Sequence, residues 1–164
     1  IRDSSYFTQS IVVKATPKLV RMYNSESWEE MQKTARRQAG KCVLFVLVFA
    51  IFIFISSGAL VKIFGVTTHA DVFILVIMVI SFAHLISLAF GFGATLMLYS
   101  DHRDRRKLIM YLAISFSLGS VVGGVLAYLF GIVGAAVGTG CGIILNRALP
   151  YTNFRRKGVN LGLV

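Results

Sequence analysis

Long uncharged apolar runs alternate with short basic segments along this chain, and the pattern predicts helices that cross a membrane. The runs cover about residues 43–62, 72–99, 108–130 and 132–149, and only His84 interrupts the second of them. Each has the length, about 17 residues or more, that a helix needs to cross a hydrocarbon core of about 30 Å. We therefore predict an all-α membrane protein with a bundle of four transmembrane helices over residues 42–149.

The third and fourth runs are joined by the short segment 130–134, which contains Gly131 and Gly134. This arrangement predicts a tight helical hairpin. Between Leu108 and Asn146 the chain has no Asp, Glu, Lys, Arg or His. Small residues let helices approach closely in lipid, where packing and not water exclusion holds them together. We expect such helix packing at Gly119, Gly123, Gly134, Gly138 and Gly142. These glycines do not form a phosphate loop, because no Lys-Ser or Lys-Thr follows them.

Residues 1–41 are predicted to be the end of a preceding membrane helix followed by a cytoplasmic amphipathic helix. Residues 5–23 are half apolar but too short and too charged to span alone, and Pro17 is expected to kink or end that helix. Ser27 and Glu30 have the spacing of a capping box, which predicts a helix start. We expect this polar helix to continue directly into the first span.

The connections between the spans are short. Residues 65–71 are predicted to be the turn between the first two spans. Gly91 and Gly93 fall in the second half of the second span, where we expect the helix to tilt or bend. Residues 150–164 are predicted to be a cytoplasmic tail.

Composition and charge support a membrane protein and predict its orientation. The chain is 56% hydrophobic with a mean hydropathy of +0.75, whereas a soluble domain is about 45–50% apolar. Its net charge of +10 does not indicate nucleic-acid binding, because the basic residues lie at the edges of the apolar runs. Four spans place every Lys and Arg except Arg2 and Lys62 on one side. Since basic short loops face the cytoplasm, we predict a multi-pass protein of the cytoplasmic membrane with both ends cytoplasmic.

Two polar residues inside the spans are candidates for substrate binding. His84 lies near the middle of the second span, where a titratable group is costly and is a functional candidate by default. The structural alternative is a neutral imidazole that is hydrogen-bonded to a Ser or a backbone carbonyl of a neighbouring helix. Arg147, near the inner end of the fourth span, could line a cavity and bind phosphate in bidentate fashion, or it could be an interfacial anchor, as Lys62 is expected to be.

The remaining candidates have simpler interpretations. The basic loop with Arg103, Arg105, Arg106 and Lys107 could contact anionic headgroups or a pyrophosphate, although topology alone accounts for most of it. Cys42 and Cys141 have no metal-ligand spacing and are expected to be buried small hydrophobes. The sequence has no paired carboxylates and no nucleophile–His pair, so we predict a protein that is not an enzyme and has neither a metal site nor a cofactor.

Several short segments, taken in order, carry a resemblance to a known family. They are TPKLVRMY at 16–23, SWEEM at 27–31, IFG at 63–65, GFG at 91–93 before the 101–107 loop, and LFGIVGAA at 129–136. Their order resembles the C-terminal half of polysaccharide biosynthesis exporters, the O-antigen-type lipid-linked oligosaccharide flippases. These belong to the superfamily of multidrug and toxin extrusion and oligosaccharidyl-lipid transporters.

The resemblance implies a fold and a function for the chain. In this family two six-helix bundles surround a central cavity, so the four spans would be the last four of twelve. Such proteins move an undecaprenyl-diphosphate-linked glycan between leaflets by alternating access. The implied partners are membrane lipids, the lipid-linked glycan and the N-terminal half of the same transporter, with H⁺ or Na⁺ as candidate coupling ions. Neither His84 nor Arg147 matches a family motif.

Two alternatives stay open at this point. One is a multidrug or other small-molecule exporter of the same superfamily, and the other is a small four-helix membrane scaffold that only binds partners. The chain begins on polar residues and ends on the apolar sequence LGLV. We expect it to be one part of a longer polypeptide, which favours the transporter over the scaffold.

Overall fold

The computed structural model describes the backbone of residues 2–63 and 69–163, with the side chains of these residues except 2–10, 12 and 60. The regular structure of this part of the chain is entirely helical. The helices α2, α4 and α6 are long and apolar enough to cross a membrane, which confirms an all-α chain with helices of membrane-spanning length. In chain order the six helices are α1 (Arg2–Asn24), α2 (Trp28–Ile55), α3 (Ser57–Ile63), α4 (Ala70–Ala89), α5 (Gly93–Tyr99) and α6 (His102–Arg156).

The connection from α1 to α2 differs from the sequence prediction in two details. Pro17 does not end α1, which remains helical to Asn24. The capping box at Ser27 is wrong, because the Ser27 side chain caps no backbone N–H. Its Oγ lies 3.0 Å from the Oγ of Ser25, so the two hydroxyls pair within the turn. The predicted polar helix does run without interruption into the apolar run, as α2.

Both of the first two predicted spans contain a break. The first is divided at Ser56 into α2 and α3, beside the weak helix formers Ser57 and Gly58. The second is divided into α4 and α5 by residues 90–92, which confirms the bend expected near Gly91. This glycine has a φ of 72°, and a Cβ on it would collide with the carbonyl of Leu161. The predicted turn at 65–71 lies mostly outside the described residues.

The 55-residue helix α6 reverses direction at Gly131, whose φ of 63° and ψ of −143° are not helical. We call residues 102–130 its first arm and residues 132–156 its second arm. The two arms lie against each other in antiparallel fashion, since Gly119 faces Gly142 and Gly123 faces Gly138. The segment 130–134 therefore contains the turn of a hairpin, as predicted. The second arm continues through Pro150 to Arg156, beyond the predicted end of the span at residue 149.

The best-packed part of the molecule lies at one end of the helices. It joins α1, the beginning of α2, α5, both ends of α6 and the residues after α6 in one apolar cluster. Fully buried members of the cluster are Leu19, Met31, Ala35, Met97, Phe154 and Leu161. The basic segments flank these same stretches of chain, so they collect at this end, which we call the basic end.

The last residues, which belong to the predicted cytoplasmic tail, pack back onto the protein. Val159 and Leu161 are buried in the apolar cluster. The amide of Leu163 donates a hydrogen bond of 2.7 Å to the carbonyl of Ala89, and Gly162 lies against the backbone of Phe90. The segment 157–163 therefore covers the break between α4 and α5.

Candidate functional site

The glycines predicted for helix packing line the contact between the two arms of α6. A Cβ on Gly119 would lie 2.9 Å from the Cα of Gly142, and a Cβ on Gly138 would collide with the backbone of Gly123. Gly134 is equally confined, because its Cβ would collide with the carbonyl of Leu126. Backbone therefore meets backbone along most of the hairpin, a contact that only glycine permits at this separation.

A polar groove of about 620 Å³ opens along the same contact. Its polar lining consists of Ser115, Ser120, Thr139 and Asn146. Two of these hydroxyls are engaged within their own helix, since Ser115 donates to the carbonyl of Tyr111 at 2.7 Å and Thr139 to that of Ala135 at 3.0 Å. The groove thus places polar atoms on a hairpin whose outer faces are apolar.

Asn146 gives this groove an unsatisfied hydrogen-bonding group. Its Oδ1 atom is buried and has no partner among the described residues. A buried polar atom without a partner costs about 1–3 kcal/mol, so native structures rarely keep one without a reason. A donor brought by a ligand or by another helix would remove that cost.

The two residues singled out within the spans come close to each other. His84 lies in the middle of α4 and Arg147 in the second arm of α6, and both are half-buried. The two helices that carry them, α4 and α6, pack against each other.

The structural alternative for His84 calls for a hydrogen bond from the imidazole to a neighbouring helix. The imidazole makes no hydrogen bond to another helix within residues 2–63 and 69–163. Ser87, one turn away, instead donates to the backbone carbonyl of His84 at 2.8 Å.

The basic segment is a separate feature at the basic end, and the prediction that it is a loop is wrong. It forms the first turns of α6, which begins at His102 after the N-cap Asp101. Arg103, Arg105 and Arg106 are exposed and Lys107 is half-buried. Asp104, in the same turns, is only 5% exposed and pairs with Lys157 at 3.1 Å. This ion pair joins the beginning of the first arm to the end of the second arm, and it leaves the arginines of the segment facing outward.

Sequence reasoning missed part of this arrangement. Cys42 was interpreted as a small apolar residue, and it is indeed buried. The polar groove had a signal in the sequence, because Ser115, Gly119 and Gly123 recur every four residues and so share one helix face. The Asp104–Lys157 pair spans 53 residues and had no local signal.

Comparison with known proteins leaves the chain without an assigned family. No protein-family model, no curated protein and no solved structure matches it.

Proposed function

We propose that this chain forms four membrane crossings of a transporter. The apolar helices α2 and α4 supply two crossings, and each arm of α6, at about 1.5 Å per residue, is long enough for one more. The support for the fourth crossing is the reversal at Gly131, which turns one long helix into an antiparallel pair. With the basic end in the cytoplasm, both ends of the chain lie on the cytoplasmic side.

We further propose that the transporter flips an undecaprenyl-diphosphate-linked oligosaccharide across the cytoplasmic membrane by alternating access, for polysaccharide biosynthesis. The observation that carries the transport part is the polar groove on α6, together with the unsatisfied Oδ1 of Asn146. A glycan headgroup cannot cross hydrocarbon without polar partners at membrane depth. The choice of substrate class rests on the resemblance of the short segments described above.

The residues have distinct roles in this proposal. Hydroxyl and amide groups of the groove exchange hydrogen bonds with sugars as the headgroup passes. Arg147 and His84 offer positive charge to an anionic substrate group, or a site for a coupling proton. The glycines of the hairpin hold the two arms close, so that the groove keeps one shape.

A matched pair of serine substitutions in the first arm tests the proposal in the full-length protein. Ser120 lines the groove, whereas Ser117 is exposed on the same arm and does not. We expect Ser120→Leu to lower surface polysaccharide about tenfold and to leave lipid-linked oligosaccharide on the inner leaflet. Ser117→Leu is expected to transport normally. Equal transport by both variants, at equal protein levels in the membrane, would contradict a role for the groove.

A second candidate function has an observation of its own. Between α2 and α4 lies a groove of about 470 Å³ whose lining has no charged residue and only the hydroxyls of Ser57 and Ser81. Such a surface suits an apolar drug-like molecule, as a multidrug exporter of the same superfamily would bind. Deletion of the gene separates the two functions. The exporter predicts altered drug accumulation with normal surface polysaccharide, and the flippase predicts the reverse.

A further inference from the structure

A third groove lies between α1 and α2, away from the hairpin. It encloses about 680 Å³. One part of its lining carries Lys14, Lys18 and Lys41, and another part carries Leu44, Phe45 and Val48. The groove is therefore amphipathic along its length, because α2 changes from polar to apolar as it leaves the basic end.

The lysines of this groove have no acidic partner in the described part of the protein. All three are exposed, and none makes an ion pair within the part of the chain that the structure describes. No Asp or Glu lines the groove. Lys14 and Lys18 are four residues apart and so lie on one face of α1, with Lys41 opposite them on α2. Three cationic groups thus converge on one opening.

The apolar part of the groove lies where hydrocarbon would be. Lys41 immediately precedes the apolar run of α2, so in a membrane it lies at the level of the headgroups. Leu44 and Val48 follow within two turns and are 61% and 58% exposed. A ligand that fits both parts has an anionic head and an apolar chain.

We propose that this groove binds one anionic phospholipid from the leaflet that faces the basic end. Its phosphate lies between Lys14, Lys18 and Lys41, and one acyl chain follows Leu44, Phe45 and Val48. Lysine suits this role because its ammonium group is a compact point charge on a flexible stem, which adapts to a phosphate without fixed geometry. Such basic pockets between membrane helices are a recurrent way to hold acidic lipids. The proposal requires the membrane placement but not the flippase activity.

Lipid titration of the purified full-length protein in a neutral detergent tests this proposal, with native mass spectrometry to count bound lipids. The probes are phosphatidylglycerol and phosphatidylcholine, without any lipid-linked glycan. We expect one phosphatidylglycerol to bind ahead of the others and phosphatidylcholine to bind weakly. The triple variant Lys14→Gln, Lys18→Gln, Lys41→Gln is expected to weaken that first site about 100-fold, from the usual contribution of each basic residue near an acidic lipid.

A second triple variant separates the groove from general charge. Lys33→Gln, Arg36→Gln, Arg37→Gln removes the same charge from α2, one to two turns before Lys41 and outside this groove. It is expected to keep the first phosphatidylglycerol site within about threefold. Equal weakening by both triple variants would overturn the proposal in favour of diffuse attraction to the basic end.

A space-filling variant tests the shape of the groove with every lysine present. Thr34 lines the groove from α2 and is half-buried. Thr34→Trp is expected to abolish the first phosphatidylglycerol site by occupying its volume. Retention of that site would overturn the proposal. Serine variants of the hairpin should bind lipid normally, so a failure here and a failure of the transport proposal are distinguishable.

Discussion

The two arms of α6 and the α2–α4 pair are both made of apolar helices, but they pack in different ways. In the hairpin, glycine lies against glycine, and an added Cβ would strike backbone at several positions. Between α2 and α4, large side chains such as Phe54 and Phe73 line an apolar groove of about 470 Å³. One pair is joined through its backbone and the other through its side chains.

This difference shows what the spacing of small residues contributes in an apolar chain. Where every position is apolar, hydrophobicity cannot specify which faces meet, because lipid competes equally for all of them. Glycines at four-residue spacing specify one face of each arm and fix its separation. The α2–α4 pair lacks such a row, so its contact is wider and more tolerant of substitution.

The largest effect is expected from a single methyl group in the hairpin. Gly138→Ala should destabilise the protein by about 3 kcal/mol, because the new Cβ meets the Gly123 backbone, which cannot rotate away as a side chain can. Gly124→Ala is the control, since nothing lies within 4 Å of its Cβ position. It should be neutral or stabilise by up to about 1 kcal/mol through helix propensity. Unfolding by SDS titration, followed by circular dichroism, measures both variants.

A smaller loss is expected when the ion pair at the open end of the hairpin is removed. Lys157→Gln leaves the Asp104 carboxylate, which is 5% exposed, without its cation and should cost about 2 kcal/mol in the same SDS titration. Adding Asp104→Asn should restore part of this loss, because no buried charge then remains unpaired. Arg156→Gln, at an exposed neighbour, should change little. If Arg156→Gln cost as much as Lys157→Gln, the pair would have no special role.

The smallest effect is expected in the α2–α4 pair. Ala50 lines the open apolar groove and is half-buried, so Ala50→Val adds carbon to a space that is already open. The free energy of unfolding should change by no more than about 0.5 kcal/mol, as at tolerant surface sites. A loss as large as that of Gly138→Ala would mean that both helix pairs are equally confined, and the contrast between them would fail.

Local pattern predicted the parts of the fold that depend on local chemistry. The long apolar helices and the reversal at Gly131 follow from run length and glycine placement. The packing of Leu161 against Gly91 could not be foreseen, because it joins residues 70 positions apart and depends on where α6 ends. The break at Ser56 was not predicted, although Ser56, Ser57 and Gly58 are weak helix formers. Of the candidate site, His84 and Arg147 stood out as polar groups in apolar runs, but their proximity needed the tertiary structure.

The direct test of the account is the side of the membrane on which each end of the hairpin lies. Single cysteines are introduced as Phe130→Cys, Arg105→Cys and Arg156→Cys in full-length protein without other cysteines, and intact cells are treated with a membrane-impermeant maleimide. All three positions are exposed. The account predicts that position 130 is labelled in intact cells, whereas positions 105 and 156 are labelled only after permeabilisation. Labelling of all three from the same side would contradict a hairpin that crosses the membrane twice.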